Sequence, residues 1–129
     1  MTARAKITFR ILLLLYIAAV CFLCFARFDD TPSVPLQIFG IPTDKLVHFL
    51  MFAPFPVLAW FAFGGKRKGW RRYLALALIL GVGVLLSLST EVIQQYIPYR
   101  NGDWTDFAAD LTGLVTSTLI LLPFVCKKD

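Results

Sequence analysis

Ten polar residues in two stretches of this chain have the side chains needed to bind a ligand or to transfer a proton. One stretch is DKLVHF, which begins at Asp44, and the other covers residues 91–110. The predicted ligand-binding residues are Asp44, Lys45, His48, Glu91, Gln94, Gln95, Arg100, Asp103, Asp106 and Asp110. Carboxylates beside an imidazole can exchange protons with a substrate or hold Mg²⁺, Mn²⁺ or Zn²⁺. No residue is assigned to catalysis or to a metal, and the sequence specifies no cofactor.

The spacing of these residues places them on helix faces. Glu91, Gln94 and Gln95 follow the i, i+3, i+4 pattern of a single helical face. Asp106 and Asp110 are one turn apart, as are the aspartate and histidine of DKLVH. Three helix ends therefore bring polar side chains to the same level. This set includes no serine or cysteine, which argues against acyl-enzyme chemistry.

Apolar helices position these polar residues. Hydrophobic residues make up 58% of the chain and charged residues 16%, whereas soluble domains average about 45–50% and about 25%. A helix spans a bilayer in about 20 residues, and four apolar runs predict spans at about 8–27, 45–64, 73–96 and 105–126. We expect a single domain, residues 1–129, that forms an all-α, integral membrane four-helix bundle. Its first span is expected to be a retained helix rather than a signal peptide.

The charges predict the orientation of the bundle. Ten of the 13 basic residues lie in the N-terminal tail, the loop KRKGWRR and the C-terminal tail. Seven of the eight acidic residues fall on the opposite side. By the positive-inside rule both termini are cytoplasmic, and the polar residues face outward. Because membrane topology accounts for the net charge of +5, we expect no nucleic-acid partner.

Small residues and prolines predict how the helices pack. Gly83, Ser87 and Glu91 are spaced i, i+4, i+8, and Gly113 and Ser117 are spaced i, i+4. We interpret these glycines and serines as packing residues that let helices approach closely in lipid. The two prolines of the sequence APFP predict a kink in the second span.

Two of the carboxylates are expected to lie below the headgroup level. Glu91 precedes Pro98 by seven residues and Asp110 follows Asp103 by seven, which is about 10 Å of helix. An acidic side chain at such a depth is costly unless it faces the bundle interior and finds partners. We therefore predict a polar pocket that opens outward and has an apolar floor.

Some of these charges have a structural alternative. Arg100 could pair with Asp103 or Asp106 to hold a short loop, and Lys45 could pair with Asp44. Charges at helix ends often do no more than this.

Three segments resemble the signature segments of VanZ-like membrane proteins: DKLVHFLMF, EVIQQYIPYR and RNGDWTDFAADLTG. They occur in the family's order across the second to fourth spans. Asp110 departs from the pattern, because the family usually has Asn there, and it adds a carboxylate at that depth. The resemblance implies an association with reduced susceptibility to glycopeptide antibiotics, teicoplanin above all.

The resulting functional prediction is a bacterial cytoplasmic (inner) membrane protein, multi-pass, that binds or handles a lipid-anchored envelope molecule or an amphiphilic glycopeptide. Glu91 and Asp106 would contact donor groups, Arg100 an anionic group, and His48 with Gln94 would orient the ligand. Two alternatives stay open: an intramembrane hydrolase or transferase for lipid headgroups, with or without a metal, and a structural membrane subunit. Expected partners are membrane lipids, a lipid-linked cell-wall precursor or glycopeptide, and a second copy of the chain.

Overall fold

The computed structural model describes residues 2–25, 37–38, 40–65, 67–97 and 104–127, and these residues are almost entirely helical. The helices are α1 (Ala3–Phe25), α2 (Thr43–Phe52), α3 (Pro54–Ala59), a π-helix (Trp60–Gly64), α4 (Trp70–Tyr96) and α5 (Trp104–Cys126). Four segments are long and apolar enough to cross a membrane: Ala3–Phe25, Asp44–Gly64, Trp70–Tyr96 and Trp104–Cys126. The prediction of an all-α chain with four spans is confirmed. The side on which the termini lie stays a prediction.

The exception to helix in the described part of the chain is a two-residue antiparallel ladder just before α2. Strand β1 (Gln37–Ile38) pairs with β2 (Ile41–Pro42). Gly40 lies between them at a φ of 78°, a left-handed conformation that glycine adopts without steric cost. This short hairpin leads directly into α2 and so fixes the start of the second span.

The second span is interrupted at Ala53, between α2 and α3. Pro54 opens α3, and its ring nitrogen cannot donate to a carbonyl in the preceding turn. On α1, the hydroxyl of Tyr16 donates to the backbone carbonyl of Met51, just before the break. A neighbouring helix thus supplies an additional donor to the turn of α2 that precedes the prolines.

The span ends in the π-helix, which nothing in the sequence predicted. Gly64 lies against the Trp60 ring, where any Cβ would overlap the indole. Arg10 of α1 donates from Nε to the Ala62 carbonyl at 3.2 Å, and its guanidinium lies 4.9 Å from the centre of the Phe63 ring. A π-turn widens the helix and disturbs its regular hydrogen bonds. The arginine therefore helps to satisfy the backbone at this irregular end.

Helix α5 packs most extensively against α2 and next against α4. A Cβ on Gly113 would lie only 2.5 Å from the Phe49 carbonyl oxygen, so the backbones of α5 and α2 are in direct contact. On α4, a Cβ on Gly83 would lie 2.8 Å from the Leu114 side chain. The interpretation of these glycines as close-packing residues is supported. Helix α1 lies at the flank, mainly against α3, the π-helix and α4.

Candidate binding site

Lys45 connects the start of α2 with the start of α5. Its Nζ lies 2.5 Å from Asp106 Oδ1 and 2.7 Å from Asp44 Oδ2. The Asp44 side chain is 59% exposed, whereas those of Lys45 and Asp106 are 21% and 12% exposed. Lys45 therefore makes the pair with Asp44 that the structural alternative expected. It also makes a second and more buried ion pair across the two helices.

His48 lies one turn further into the membrane, between the two carboxylates of α5. Its Nδ1 is 2.8 Å from Asp110 Oδ1, and its Nε2 is 3.5 Å from Asp106 Oδ2. Asp110 is fully buried, and its second oxygen accepts a hydrogen bond from Ser87 Oγ on α4 at 2.7 Å. We call Lys45, His48, Ser87, Asp106 and Asp110 the polar cluster.

The helix periods explain why these residues meet. The lysine and histidine are three residues apart in α2, and the two aspartates are four residues apart in α5, so each pair lies on one helix face. The backbone contact at Gly113 holds these two faces together. Side-chain exposure falls from 21% at Lys45 to 14% at His48 and 0% at Asp110. The cluster is thus a row of polar side chains that leads from the end of the bundle into its interior.

The three polar residues at the end of α4 do not share the same surroundings. Glu91 is fully buried, and Gln94 is nearly so. The Gln94 amide donates to the backbone carbonyl of Cys24 at 2.9 Å, which ties α4 to α1 rather than reaching toward His48. Gln95 is exposed and lies away from the buried side of α4. The structure therefore does not bring Gln95 to the same place as Glu91 and Gln94.

Two predicted site residues, Arg100 and Asp103, lie outside the described residues. The predicted role of Arg100 as an anion contact stays a prediction, as do its pairings with Asp103 or Asp106. In the described part of the bundle, the cation closest to the buried carboxylates of α5 is Lys45, at 2.5 Å from Asp106.

Comparison with known proteins places the chain in a family. A family model described as VanZ/LLP1 matches residues 9–126, nearly the whole chain. The chain belongs to the VanZ/LLP1 family. The resemblance drawn from the three sequence segments is thereby confirmed, and all residues of the polar cluster lie within the matched region.

This VanZ/LLP1 protein also has a relative among curated proteins, an uncharacterised protein of Schizosaccharomyces pombe, C11E3.10. The two are 32% identical over 89 residues, which are 69% of this chain and 50% of the relative. The chain therefore spans about half the length of the curated relative it matches. No solved structure matches the chain.

Ser87 is the member of the VanZ/LLP1 polar cluster that sequence reasoning missed. The ten predicted site residues did not include it, although Ser87 bonds directly to Asp110. The available signal was its position one turn before Glu91, which was interpreted only as packing. The hydroxyl is fully buried and donates to a carboxylate rather than to the imidazole. This is not the serine–histidine contact that activates a nucleophile.

The donor set of the VanZ/LLP1 cluster bears on metal binding. In the ranges given above, no group of three or more His, Cys, Asp or Glu side chains is arranged to hold a metal ion. Asp106 instead has a cation from the protein itself, the Lys45 ammonium. The arrangement suits the binding of a charged or hydrogen-bonding group, and its buried imidazole suits proton transfer.

Proposed function

We propose that this VanZ/LLP1 protein binds the phosphate-bearing headgroup of a membrane-anchored amphiphile at the polar cluster, and that it thereby lowers teicoplanin susceptibility. The observation that carries the proposal is the position of Asp106. One of its oxygens accepts from Lys45 at 2.5 Å, and the other faces His48 at 3.5 Å. Asp106 therefore holds the Lys45 ammonium and the His48 ring in place, and a phosphate at the outer end of the cluster can accept hydrogen bonds from the same ammonium group.

The exposure of the cluster supports binding at its outer end. Lys45 and Asp44 are the more exposed members of the contact network, and they offer one cation and one anion to a ligand. Asp110 is fully buried and holds His48 from the inner side, and the buried Ser87 donates in turn to Asp110. A headgroup would therefore contact the outer residues, while its lipid part would stay in the bilayer beside the apolar helices.

The choice of a phosphate-bearing lipid rests on chemistry and on family membership. Glycopeptides act on lipid-linked precursors at the outer face of the cytoplasmic membrane, where the predicted orientation puts the cluster. The relative from Schizosaccharomyces pombe belongs to a eukaryote. Phosphate-bearing lipid headgroups occur in bacterial and in eukaryotic membranes, so a ligand of this class would be present both for this chain and for its relative.

A second candidate function is catalysis at the same headgroup, and the orientation of His48 favours it. Asp110 holds Nδ1 at 2.8 Å, which fixes the ring and leaves Nε2 turned toward Asp106. A carboxylate that orients an imidazole in this way is a recurrent arrangement in general acid–base catalysis. The reaction would be hydrolysis or transfer at the headgroup, with His48 moving the proton.

Antibiotic susceptibility tests the proposed role. A teicoplanin-sensitive Gram-positive host would express the wild type, Lys45→Gln, Asp106→Asn or the control Gln95→Ala, at matched levels in the membrane. The wild type and the exposed control should protect against teicoplanin, and the two cluster variants should not. Protection that persists in both cluster variants would contradict the proposal. Loss of folded Asp106→Asn protein from the membrane would instead support the structural alternative.

Turnover separates binding from catalysis. The purified full chain would be incubated in liposomes with a fluorescently labelled lipid-linked cell-wall precursor, with and without a chelator, and the lipids separated by chromatography. Binding without a new product supports the binding function. A product that disappears in His48→Gln supports the enzyme, and its loss with chelator would assign a metal to the reaction.

A further inference from the structure

A cleft of about 430 Å³ lies at the end of the bundle opposite to the polar cluster. It opens between the π-helix and the start of α4, and the residues that matter for its chemistry are Phe63, Arg67, Trp70, Arg71, Leu74 and Leu78. Arg71 precedes Glu91 by 20 residues of α4, which is about 30 Å along the helix. The cleft is therefore separate from the proposed headgroup site and faces the other leaflet.

The cleft has positive charge that the described residues do not neutralise. Arg67 and Arg71 are exposed, and neither side chain forms a hydrogen bond or ion pair with a described residue. The acidic residues in the described ranges are Asp44, Glu91, Asp106 and Asp110, all near the other end of the bundle.

Two other arginines at this end of the bundle are hydrogen-bonded to backbone carbonyls. Arg72 is buried and donates to the Val125 carbonyl at 3.2 Å. Arg10 donates to the Ala62 carbonyl at the same distance. The two arginines of the cleft differ from these, because both are exposed and neither is paired with a residue in the described ranges.

Below the arginines the cleft becomes apolar. Arg71, Leu74 and Leu78 are spaced i, i+3, i+7, so they form one face of α4 that runs from the charged mouth toward the middle of the span. The exposed rings of Phe63 and Trp70 flank the mouth, a position that aromatic residues favour at the membrane surface. The volume lies within the range of about 300–1,000 Å³ that is usual for small-molecule sites.

We propose that this cleft binds one anionic glycerophospholipid. Its phosphate lies between Arg67 and Arg71, and one acyl chain follows Leu74 and Leu78. Guanidinium groups bind phosphate through paired hydrogen bonds, and basic clefts between helices on the cytoplasmic side are suited to anionic headgroups. The positive-inside rule predicts that this end faces the cytoplasm, where the leaflet is negatively charged.

Native mass spectrometry of the full chain tests the proposal. The protein in a neutral detergent would be titrated with dioleoyl phosphatidylglycerol and, separately, with dioleoyl phosphatidylcholine. One phosphatidylglycerol should remain bound at concentrations where phosphatidylcholine does not. An exposed arginine paired directly with the phosphate contributes up to about fivefold to binding, so Arg67→Gln with Arg71→Gln should weaken binding by up to about 25-fold.

The matched control removes the same charge elsewhere at the same end. Arg4→Gln with Lys68→Gln takes away two exposed basic residues that do not line the cleft, and it should change the affinity by less than about twofold. Arg67→Lys with Arg71→Lys keeps the charge but loses the paired hydrogen bonds, and should give an intermediate affinity. Because Arg67 and Arg71 are exposed, the variant with glutamine at both positions and the variant with lysine at both positions should melt at the wild-type temperature.

Three results would overturn the proposal. Equal loss in the cleft variant and the matched control would mean that only net charge attracts the lipid. Undiminished binding in the Arg67→Gln, Arg71→Gln variant would place the lipid elsewhere. Displacement of phosphatidylglycerol by an equal concentration of glycerol 3-phosphate would show a free-phosphate site in which the acyl chain has no part.

Discussion

Replacement of Gly113 by alanine should damage the polar cluster without touching any of its polar groups. The added Cβ would lie 2.5 Å from the Phe49 carbonyl oxygen and 3.3 Å from the Ala53 nitrogen. Both atoms belong to backbone, so no side chain can rotate away to make room. Helix α2 must therefore move off α5, and α2 carries His48 next to the point of contact.

The size of the effect follows from the geometry. Ordinary contact begins at 3.4 Å, so the helices must separate by about 0.9 Å. Overpacking of this kind costs about 1–3 kcal/mol, against a gain of about 1 kcal/mol from the better helix propensity of alanine. We expect a net loss of up to about 2 kcal/mol, which is a fall in Tm of up to about 8 °C for a chain of this length. The same movement would lengthen the 2.8 Å contact between His48 and Asp110 to about 3.7 Å, beyond a hydrogen bond.

Gly81→Ala is the matched control, because a Cβ at that position of α4 meets nothing within 4 Å. Thermal unfolding in detergent should show Gly81→Ala at or slightly above the wild-type Tm and Gly113→Ala below it. The susceptibility assay should show protection by Gly81→Ala and its loss in Gly113→Ala. If Gly113→Ala melts as high as the control, the backbone contact between α2 and α5 is not as close as the geometry requires, and the reasoning fails.

Three further predictions test other contacts. Ser87→Ala removes a donor from the buried Asp110 carboxylate and should lower the free energy of unfolding by about 1.5–3 kcal/mol; an unchanged denaturation curve would argue against this hydrogen bond. Gln94→Leu should cost about 1 kcal/mol because it breaks the tie between α4 and α1, whereas the exposed Gln95→Leu should cost nothing; equal Tm values for the two would contradict that tie. The exposed Cys126 should react with a membrane-impermeant thiol reagent in inverted vesicles and not in intact cells, since the C-terminus is predicted to be cytoplasmic; the opposite labelling would reverse the orientation.

The sequence was sufficient to predict the four spans because the apolar runs are long and the charges are confined to their ends. It was also sufficient to place the carboxylates on inward faces. An ionised group inside a bilayer is costly unless it is paired, so the burial of Glu91 and Asp110 follows from chemistry alone. The interruption of the second span follows in the same way, since proline has no backbone donor.

Other features depended on information that spacing does not contain. Spacing groups Gln95 with Gln94, but the two side chains differ by one helical step, which is enough to turn one of them outward. A small polar residue such as Ser87 suits both close helix packing and hydrogen bonding, so its residue type alone does not tell which of the two it does. The partner of the Gln94 amide is the backbone carbonyl of Cys24. Because every residue has a backbone carbonyl, the sequence does not indicate which one accepts this hydrogen bond. The π-helix depends on how Arg10 and Gly64 fit around an irregular turn.

The flank position of α1 has a consequence for how the protein can be assembled. All five members of the polar cluster come from α2, α4 and α5, whereas α1 provides the Tyr16 and Arg10 side chains and one carbonyl that brace the others. Helices in lipid insert individually and associate afterwards. A gene divided between α1 and α2 should therefore yield two polypeptides that reassociate in the membrane.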